Sequence, residues 1–181
     1  VMDDGEFAVV GRNNYVIFDL KQLKKKNKSI LYIDWDTETT KKGGYSHNMI
    51  KEIFDEPLTV QQALDISPEK INYLADMFLN KNNVFLIGVG TTFYVSQIAQ
   101  YFFSSFAGKF YPVISSDEFT ELLPCAKNDL VVAVSQSGET FDTKSALNSA
   151  SMSGAETAAI VNVMGSTISR MVDHVIMQGS G

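Results

Sequence analysis

The chain has 181 residues, 45% of them hydrophobic and 20% charged, which is typical of a globular protein with one sizeable domain. Its net charge of −6 argues against nucleic acid as a partner, because nucleic-acid binding requires a basic surface. A single cysteine, Cys125, the lack of a membrane-length apolar run and the lack of a signal-peptide pattern lead us to expect a soluble, cytoplasmic protein.

Two short runs rich in β-forming residues open the chain. They occupy residues 6–10 and 15–20, and the turn residues 11–14 between them predict a β-hairpin. A third β-like run, residues 29–33, follows a lysine-rich stretch over residues 21–28. We interpret these lysines as a solvated loop rather than an anion-binding patch, because no aromatic residue is interleaved with them. Two or three strands are marginal alone, so this segment is expected to be the edge of something larger.

A polar stretch that ends in the pair Gly43 and Gly44 indicates a linker. We therefore predict an N-terminal segment over residues 1–36, a linker over residues 37–46 and the main domain over residues 47–181. His47, at the start of the main domain, is interpreted as a helix cap or packing residue rather than a catalytic base.

The main domain is expected to begin with helices. A short helix closed by Pro57 is predicted to carry four apolar residues on one face: Met49, Ile50, Ile53 and Phe54. A second helical piece covers residues 58–64. Ser67 followed by Pro68 predicts the start of a longer helix that runs to about Asn80.

From residue 84 onward, strand and helix patterns alternate. Near-continuous apolar runs predict five strands, at residues 84–87, 110–114, 130–134, 157–161 and 174–177. The segments between them predict helices at about residues 93–106 and 140–150, a short acidic helix or turn at residues 116–122, and a short helical turn that begins with residues 162–166. In the helix over residues 93–106 we expect four residues to face inward: Val95, Ile98, Ala99 and Phe102. This alternation predicts an α/β fold with three layers, α/β/α, around a five-stranded parallel sheet, preceded by the short β-hairpin extension.

Three loops at the carboxyl ends of these strands share a chemistry. Residues 88–92, 135–140 and 162–166 are rich in glycine or hydroxyl groups, and the first two loops open helices. In a parallel sheet the carboxyl ends of the strands form the ligand-binding edge. One hydroxyl is enough to cap a helix. The second loop carries Ser135, Gln136, Ser137 and Thr140, so we interpret it as a site for phosphate or another compact anion.

Other chemistries are less well supported. Phe93 stands where a dinucleotide fingerprint needs its third glycine, and no Gly-Lys-Ser/Thr phosphate loop is present. Asp117, Glu118 and Glu121 are interpreted as a solvated helix face rather than a metal site. Cys125 has no histidine nearby in sequence and is interpreted as a buried thiol rather than a nucleophile.

The run from Leu130 to Thr140, Leu-Val-Val-Ala-Val-Ser-Gln-Ser-Gly-Glu-Thr, resembles the phosphosugar-binding signature of the SIS (sugar isomerase) domain. Ile33-Asp-Trp-Asp36, followed by the run from Lys42 to Ile53, resembles a junction in one family that contains this domain, glutamine–fructose-6-phosphate aminotransferase (isomerizing), or glucosamine-6-phosphate synthase. The run from Ala159 to Arg170 is similar to that family's segment after the fourth strand.

The resemblance implies residue roles. Ser135, Gln136, Ser137 and Thr140 are expected to bind the sugar phosphate, Thr92 occupies the place of a family serine in the first loop, and Val163 is expected to make a backbone contact to the sugar. Val89 stands where the family usually has cysteine.

The resemblance also implies an activity and an architecture. The family joins a glutaminase domain, whose last strands residues 1–36 resemble, to two SIS domains, of which residues 47–181 resemble the first. It converts fructose 6-phosphate and glutamine to glucosamine 6-phosphate and glutamate without a metal or organic cofactor, and SIS domains usually form homodimers. The glutaminase cysteine and the isomerase acid/base glutamate, ring-opening histidine and imine-forming lysine have no counterparts in these residues.

We therefore expect a fragment or single domain that has no catalytic residue and binds fructose 6-phosphate or glucosamine 6-phosphate weakly, if at all. The alternatives are a SIS module that senses a phosphosugar and a stand-alone sugar-phosphate isomerase. The second is disfavoured because no acid/base pair is in view.

Overall fold

The computed structural model describes residues 2–29, 43–122 and 125–180. The chain divides into two compact units, Val1–Asn48 and Met49–Gly181.

The first unit contains a three-stranded antiparallel sheet in the order β1-β2-β3. Its strands are β1 (Glu6–Val10), β2 (Tyr15–Asp19) and β3 (Lys25–Lys26). The predicted hairpin is confirmed, because β1 pairs with β2 and the Gly11 N–H donates to the Asn14 carbonyl oxygen over 2.8 Å to close the turn. Phe7 and Phe18 lie opposite each other with their rings stacked 5.1 Å apart.

The third strand lies earlier than the sequence indicates. Lys25 and Lys26 pair with β2, whereas the predicted run over residues 29–33 lies, apart from Ser29, outside the described residues. The lysine-rich stretch is therefore not only a solvated loop. Lys26 Nζ lies 2.7 Å from Glu6 Oε1 and Lys28 Nζ lies 2.6 Å from Glu6 Oε2. These ion pairs connect the stretch to β1.

The second unit is a five-stranded parallel sheet with helices on both faces. Its strands are β4 (Val84–Gly88), β5 (Val113–Ser115), β6 (Leu130–Ser135), β7 (Glu156–Val161) and β8 (His174–Met177). Its helices are α1 (Asn48–Leu64), α2 (Pro68–Asn80), α3 (Thr91–Ala107), α4 (Ser116–Leu122), α5 (Phe141–Met152) and α6 (Thr167–Met171). The sheet order is β5-β4-β6-β7-β8, and every pairing is parallel.

Alternate residues of the central strand β6 contribute to two separate cores, as the period of two in a strand requires. Val131 and Ala133 pack with Phe119 of α4 and Leu147 of α5. The opposite core contains Leu130 and Val132 with apolar residues of α2 and α3, including Met77, Phe78 and Phe103. The predicted three-layer α/β/α architecture is confirmed.

Pro57 does not end a helix, contrary to the sequence-based expectation. α1 runs through it as one element, so the two predicted helical pieces are continuous. Proline removes one backbone donor, which leaves the carbonyl of Ile53 without its intrahelical partner. Ile53 is exposed, so water can satisfy that carbonyl.

The inward face of α3 also differs from the prediction. Ala99 packs against the core together with Phe103, but Val95, Ile98 and Phe102 are all about half exposed. α3 is apolar on two faces, and periodicity alone does not identify which of them meets the sheet. No helix of the described residues is long and apolar enough to cross a membrane.

Candidate functional site

The loop between β6 and α5, residues 135–140, is organised by its own hydroxyl groups. β6 is buried up to its last residue, Ser135, which is 3% exposed. Ser135 Oγ accepts a hydrogen bond from the Gly138 N–H over 3.1 Å and lies 3.3 Å from Thr140 Oγ1. Gly138 has a φ of +63°, a conformation that favours glycine. Ser135 therefore shapes the turn from inside.

The remaining polar groups of this loop are more accessible. Gln136 is exposed, and Ser137 and Thr140 are partly exposed. Ser137 Oγ accepts from the Glu139 N–H over 3.2 Å, which leaves its own hydroxyl proton available for donation. Thr140 is the N-cap of α5, and its side chain makes no capping hydrogen bond. Because the first N–H groups of a helix lack intrahelical partners, this loop offers N–H and O–H donors to an anion.

In the loop between β4 and α3, the end of the strand lies close to the first turn of the helix. A Cβ on Gly88 would lie 2.8 Å from the Thr92 carbonyl carbon and 2.9 Å from the Phe93 nitrogen, so only glycine fits at the end of β4. Thr92 Oγ1 donates to the Val89 carbonyl oxygen over 3.0 Å and accepts from the Val89 N–H over 3.1 Å. The Thr92 hydroxyl therefore stabilises its own loop in this structure.

These two loops meet at the point where the strand order reverses. β4 lies between β5 and β6, so the chain moves outward from β4 to β5 and then crosses back to β6. The register places Ile87 beside Ala133, so the carboxyl ends of β4 and β6 are adjacent. In doubly wound α/β sheets this switch point is the position at which ligands bind.

The third loop, residues 162–166, lies on the other side of β6. Ser135 pairs with Val161 in register, and the Asn162 N–H donates to the Gln136 carbonyl oxygen over 3.2 Å. Val163 is 42% exposed. The three loops singled out from the sequence therefore follow three neighbouring strands.

Two structural features around the 135–140 loop were not predicted from the sequence. Glu139 Oε1 accepts a hydrogen bond from the Thr167 N–H over 2.7 Å, and Ser166 Oγ is buried beside Gly138 without a hydrogen-bond partner. The Thr167 N–H lowers the pKa of Glu139 below its usual value, with a smaller contribution from Lys144. The signature contains Glu139, but no local pattern links it to a residue 28 positions further on.

The structure also describes the surroundings of the other candidate residues. His47 is exposed just before α1. Cys125 is buried, and burial raises the pKa of its thiol to about 11, so the thiol is protonated at neutral pH and is a poor nucleophile. Among the described residues, no group of three or more His, Cys, Asp or Glu could hold a metal ion. Asp117, Glu118 and Glu121 are exposed on α4.

A doubly wound parallel sheet whose switch-point loop offers N–H and O–H donors is typical of α/β proteins that bind small ligands at the carboxyl ends of their strands. Residues 77–179 match the SIS domain family, and the chain belongs to that family.

The chain is also similar to curated proteins named glutamine–fructose-6-phosphate aminotransferase (isomerizing). It is 35% identical to that of Methanococcus maripaludis, over 99% of this chain and 30% of the relative. It is 33% identical to that of Aquifex aeolicus, over 100% of this chain and 31% of the relative. The chain therefore spans less than a third of the length of these relatives.

Solved structures agree with this family. The C-terminal domain of glucosamine-fructose-6-phosphate aminotransferase from Francisella tularensis matches with a TM-score of 0.68 and 26% identity, over 78% of this chain and 42% of that chain. The sugar isomerase domain of an RpiR transcription factor from Sphaerobacter thermophilus matches with a TM-score of 0.56 and 23% identity, over 71% of this chain and 72% of that chain. The second likeness concerns the fold alone.

Proposed function

We propose that this chain binds the phosphate of fructose 6-phosphate as the first SIS domain of a glutamine–fructose-6-phosphate aminotransferase. One observation carries the proposal: the 135–140 loop, with its free donors, follows the strand at the switch point of the sheet. The similarity to aminotransferases at 30–35% identity along the whole chain supports this enzyme over other phosphosugar proteins.

The phosphate oxygens would accept hydrogen bonds from the Ser137 and Thr140 hydroxyls, the Gln136 amide and the first N–H groups of α5. Hydrogen bonds to a charged acceptor are stronger than those between neutral groups. Ser135 would bind through its hydroxyl when the Thr140 contact opens, and Thr92 would complete the site from the neighbouring loop. The backbone contact of Val163 to the sugar remains a prediction from the resemblance.

We assign no catalytic residue to this chain. It would hold the substrate by its phosphate, while the proton transfers and the amino transfer use residues of the second SIS domain and the glutaminase domain of the family. Residues 1–36 would belong to the glutaminase domain and residues 47–181 to the SIS domain. We further propose a cytoplasmic location, with which the free cysteine Cys125 agrees, and a homodimer, which the exposed apolar face of α3 supports.

The test is the paired substitution Ser137→Ala with Thr140→Ala. Removing two donors to the phosphate should weaken fructose 6-phosphate binding by at least about tenfold, since hydrogen bonds to charged groups contribute roughly 1.5–3 kcal/mol each. Binding is measured by NMR titration at millimolar concentrations, because the chain alone is expected to bind weakly.

The matched control is Ser145→Ala with Ser151→Ala, which removes two exposed hydroxyls further along α5. This variant should bind like the wild type, and fructose without phosphate should bind neither protein. Equal affinity of both double variants would show that the phosphate lies elsewhere. If the wild-type chain does not bind fructose 6-phosphate, the proposal that this domain alone binds it is wrong.

A further inference from the structure

The 135–140 loop is connected to the start of α6 by two consecutive hydrogen bonds. The Ile168 N–H donates to the Gly138 carbonyl oxygen over 2.9 Å, and the Thr167 N–H donates to Glu139 Oε1 over 2.7 Å. Neighbouring residues of the loop therefore bind neighbouring N–H groups of the first turn of α6.

The side chain that caps α6 is that of Glu139, which lies in the 135–140 loop. Ser166 occupies the N-cap position but makes no side-chain capping bond, although serine is among the residues that most often do so. Its Oγ is instead buried against Gly138, where a Cβ would lie 2.0 Å from it. Glu139 supplies the missing acceptor.

Ser135 and Ser137 make hydrogen bonds inside the loop, since their Oγ atoms accept from the Gly138 and Glu139 N–H groups. By contrast, the Glu139 carboxylate connects the loop to a neighbouring element, α6. Glu139 stands between the two proposed phosphate ligands, Ser137 and Thr140. A change in its position would move both hydroxyls, and small displacements of binding groups reduce affinity strongly.

We propose that Glu139 is a positioning residue: by capping α6, it holds the Ser137 and Thr140 donors in the geometry that binds the phosphosugar. This inference rests on the proposed function. A simple charge effect would change the affinity in the opposite direction, since removing a negative charge near an anion site strengthens anion binding. The direction of the effect therefore separates positioning from a simple charge effect.

The first variants change the acceptor. Glu139→Ala removes it and should weaken fructose 6-phosphate binding by about tenfold, whereas Glu139→Gln keeps an oxygen at Oε1 and should stay within about threefold of the wild type. Lys144→Ala, which removes only the 3.5 Å ion pair of Glu139, should also bind nearly as the wild type does. Glu118→Ala removes an exposed charge on α4 and is the control for net charge.

The second variant changes the donor. Thr167→Pro deletes both Thr167 groups that bind Glu139, the N–H and the hydroxyl. Proline is favoured at this first position of α6, and Ser166 already has the extended ψ of 161° that a residue before proline requires. Thr167→Pro should reproduce the loss caused by Glu139→Ala. The double variant should lose no more than either single variant, because both remove the same bond.

Amide hydrogen exchange of Thr167 provides a direct readout. Its protection should disappear in Glu139→Ala and persist in Glu139→Gln. Tighter or unchanged binding by Glu139→Ala, or additive losses in the double variant, would overturn the positioning role. If Glu139→Ala binds normally while Ser137→Ala with Thr140→Ala does not, this inference fails and the phosphate site stands. If neither change affects binding, the proposed site itself is wrong.

Discussion

Two constraints act on Gly138, its positive φ and the close approach of Ser166, and Gly138→Ala violates both. Its φ of +63° costs an alanine about 1–2 kcal/mol, and a Cβ would also lie 2.0 Å from the buried Ser166 Oγ. We expect Gly138→Ala to lower the free energy of unfolding by about 3 kcal/mol, because overpacking of a buried site adds to the backbone cost. Urea unfolding monitored by circular dichroism measures this change.

Gly154 is the matched control. Its φ is +83°, but a Cβ there would lie 3.8 Å from the nearest atom, Lys127 Cβ, at ordinary contact distance. Gly154→Ala should therefore lower the free energy of unfolding by about 1 kcal/mol, the cost of the backbone conformation alone. Adding Ser166→Gly to Gly138→Ala should recover part of the loss. Equal losses at the two glycines would show that the Ser166 contact adds nothing.

The types of residue in the site could be predicted from the sequence, but their partners could not. Three hydroxyls and a glutamine after a buried strand indicated an anion site. The sequence did not show that Ser135 points into the loop or that Glu139 caps a helix. Those contacts depend on how α6 packs beside β6, and that packing follows from the tertiary fold rather than from local propensity.

At the scale of elements, two ion pairs to Glu6 of β1, from Lys26 of β3 and from Lys28, connect the lysine-rich stretch to the N-terminal sheet. Hydrogen bonds from Lys26, which has the larger effect, and from Lys28 lower the pKa of Glu6 from its usual value to about 2. A carboxyl whose pKa is lowered in the folded state stabilises that state above its unfolded pKa of about 4.3. This stabilisation is lost as the pH falls through about 2.

An NMR titration of the Glu6 side-chain carboxyl should therefore show a midpoint near pH 2. Lys26→Ala with Lys28→Ala should move the midpoint back toward the usual range. Lys25→Ala is the control, since neighbouring residues of a strand point to opposite faces and Lys25 lies beside Lys26 in β3. An ordinary midpoint in the wild type would contradict the ion pairs.

Elements with a continuous apolar run or a clear boundary were predicted well. β4, β6 and β8 carry continuous apolar runs, and α2 begins at Ser67 and Pro68 as expected. The errors occurred where more than one structure satisfied the pattern. Pro57 is tolerated because α1 is solvated around it, and α3 has two apolar faces, of which only one meets the sheet.

At the scale of the whole molecule, the parallel sheet explains why one loop signature was informative. Sequence alternation predicted that all five strands run in the same direction, and this places their carboxyl ends at one edge. The order β5-β4-β6-β7-β8 was not predicted, because no pattern in a single sequence specifies which strands are neighbours. That order puts the loops after β4, β6 and β7 side by side.

The outer face of α3 tests the proposed homodimer. Its exposed apolar residues follow the helical period and form one stripe: Tyr94, Ile98, Tyr101 and Phe102. A contiguous apolar patch of this kind marks an interaction surface in most proteins. We expect a solution mass near twice the 20.0 kDa of one chain in light scattering. Ile98→Glu should raise the dimer dissociation constant by at least tenfold, because a carboxylate would be buried at the interface.

α1 offers a competing surface, since Phe54 is 66% exposed and no residue of that helix is buried. Phe54→Glu is therefore the matched control, with the same charge change on a different helix. Dissociation by Ile98→Glu but not by Phe54→Glu assigns the dimer to α3, and the reverse result assigns it to α1. A wild-type chain that remains at 20.0 kDa across the micromolar range contradicts the homodimer and leaves the phosphate site unaffected, because the 135–140 loop is built within one chain.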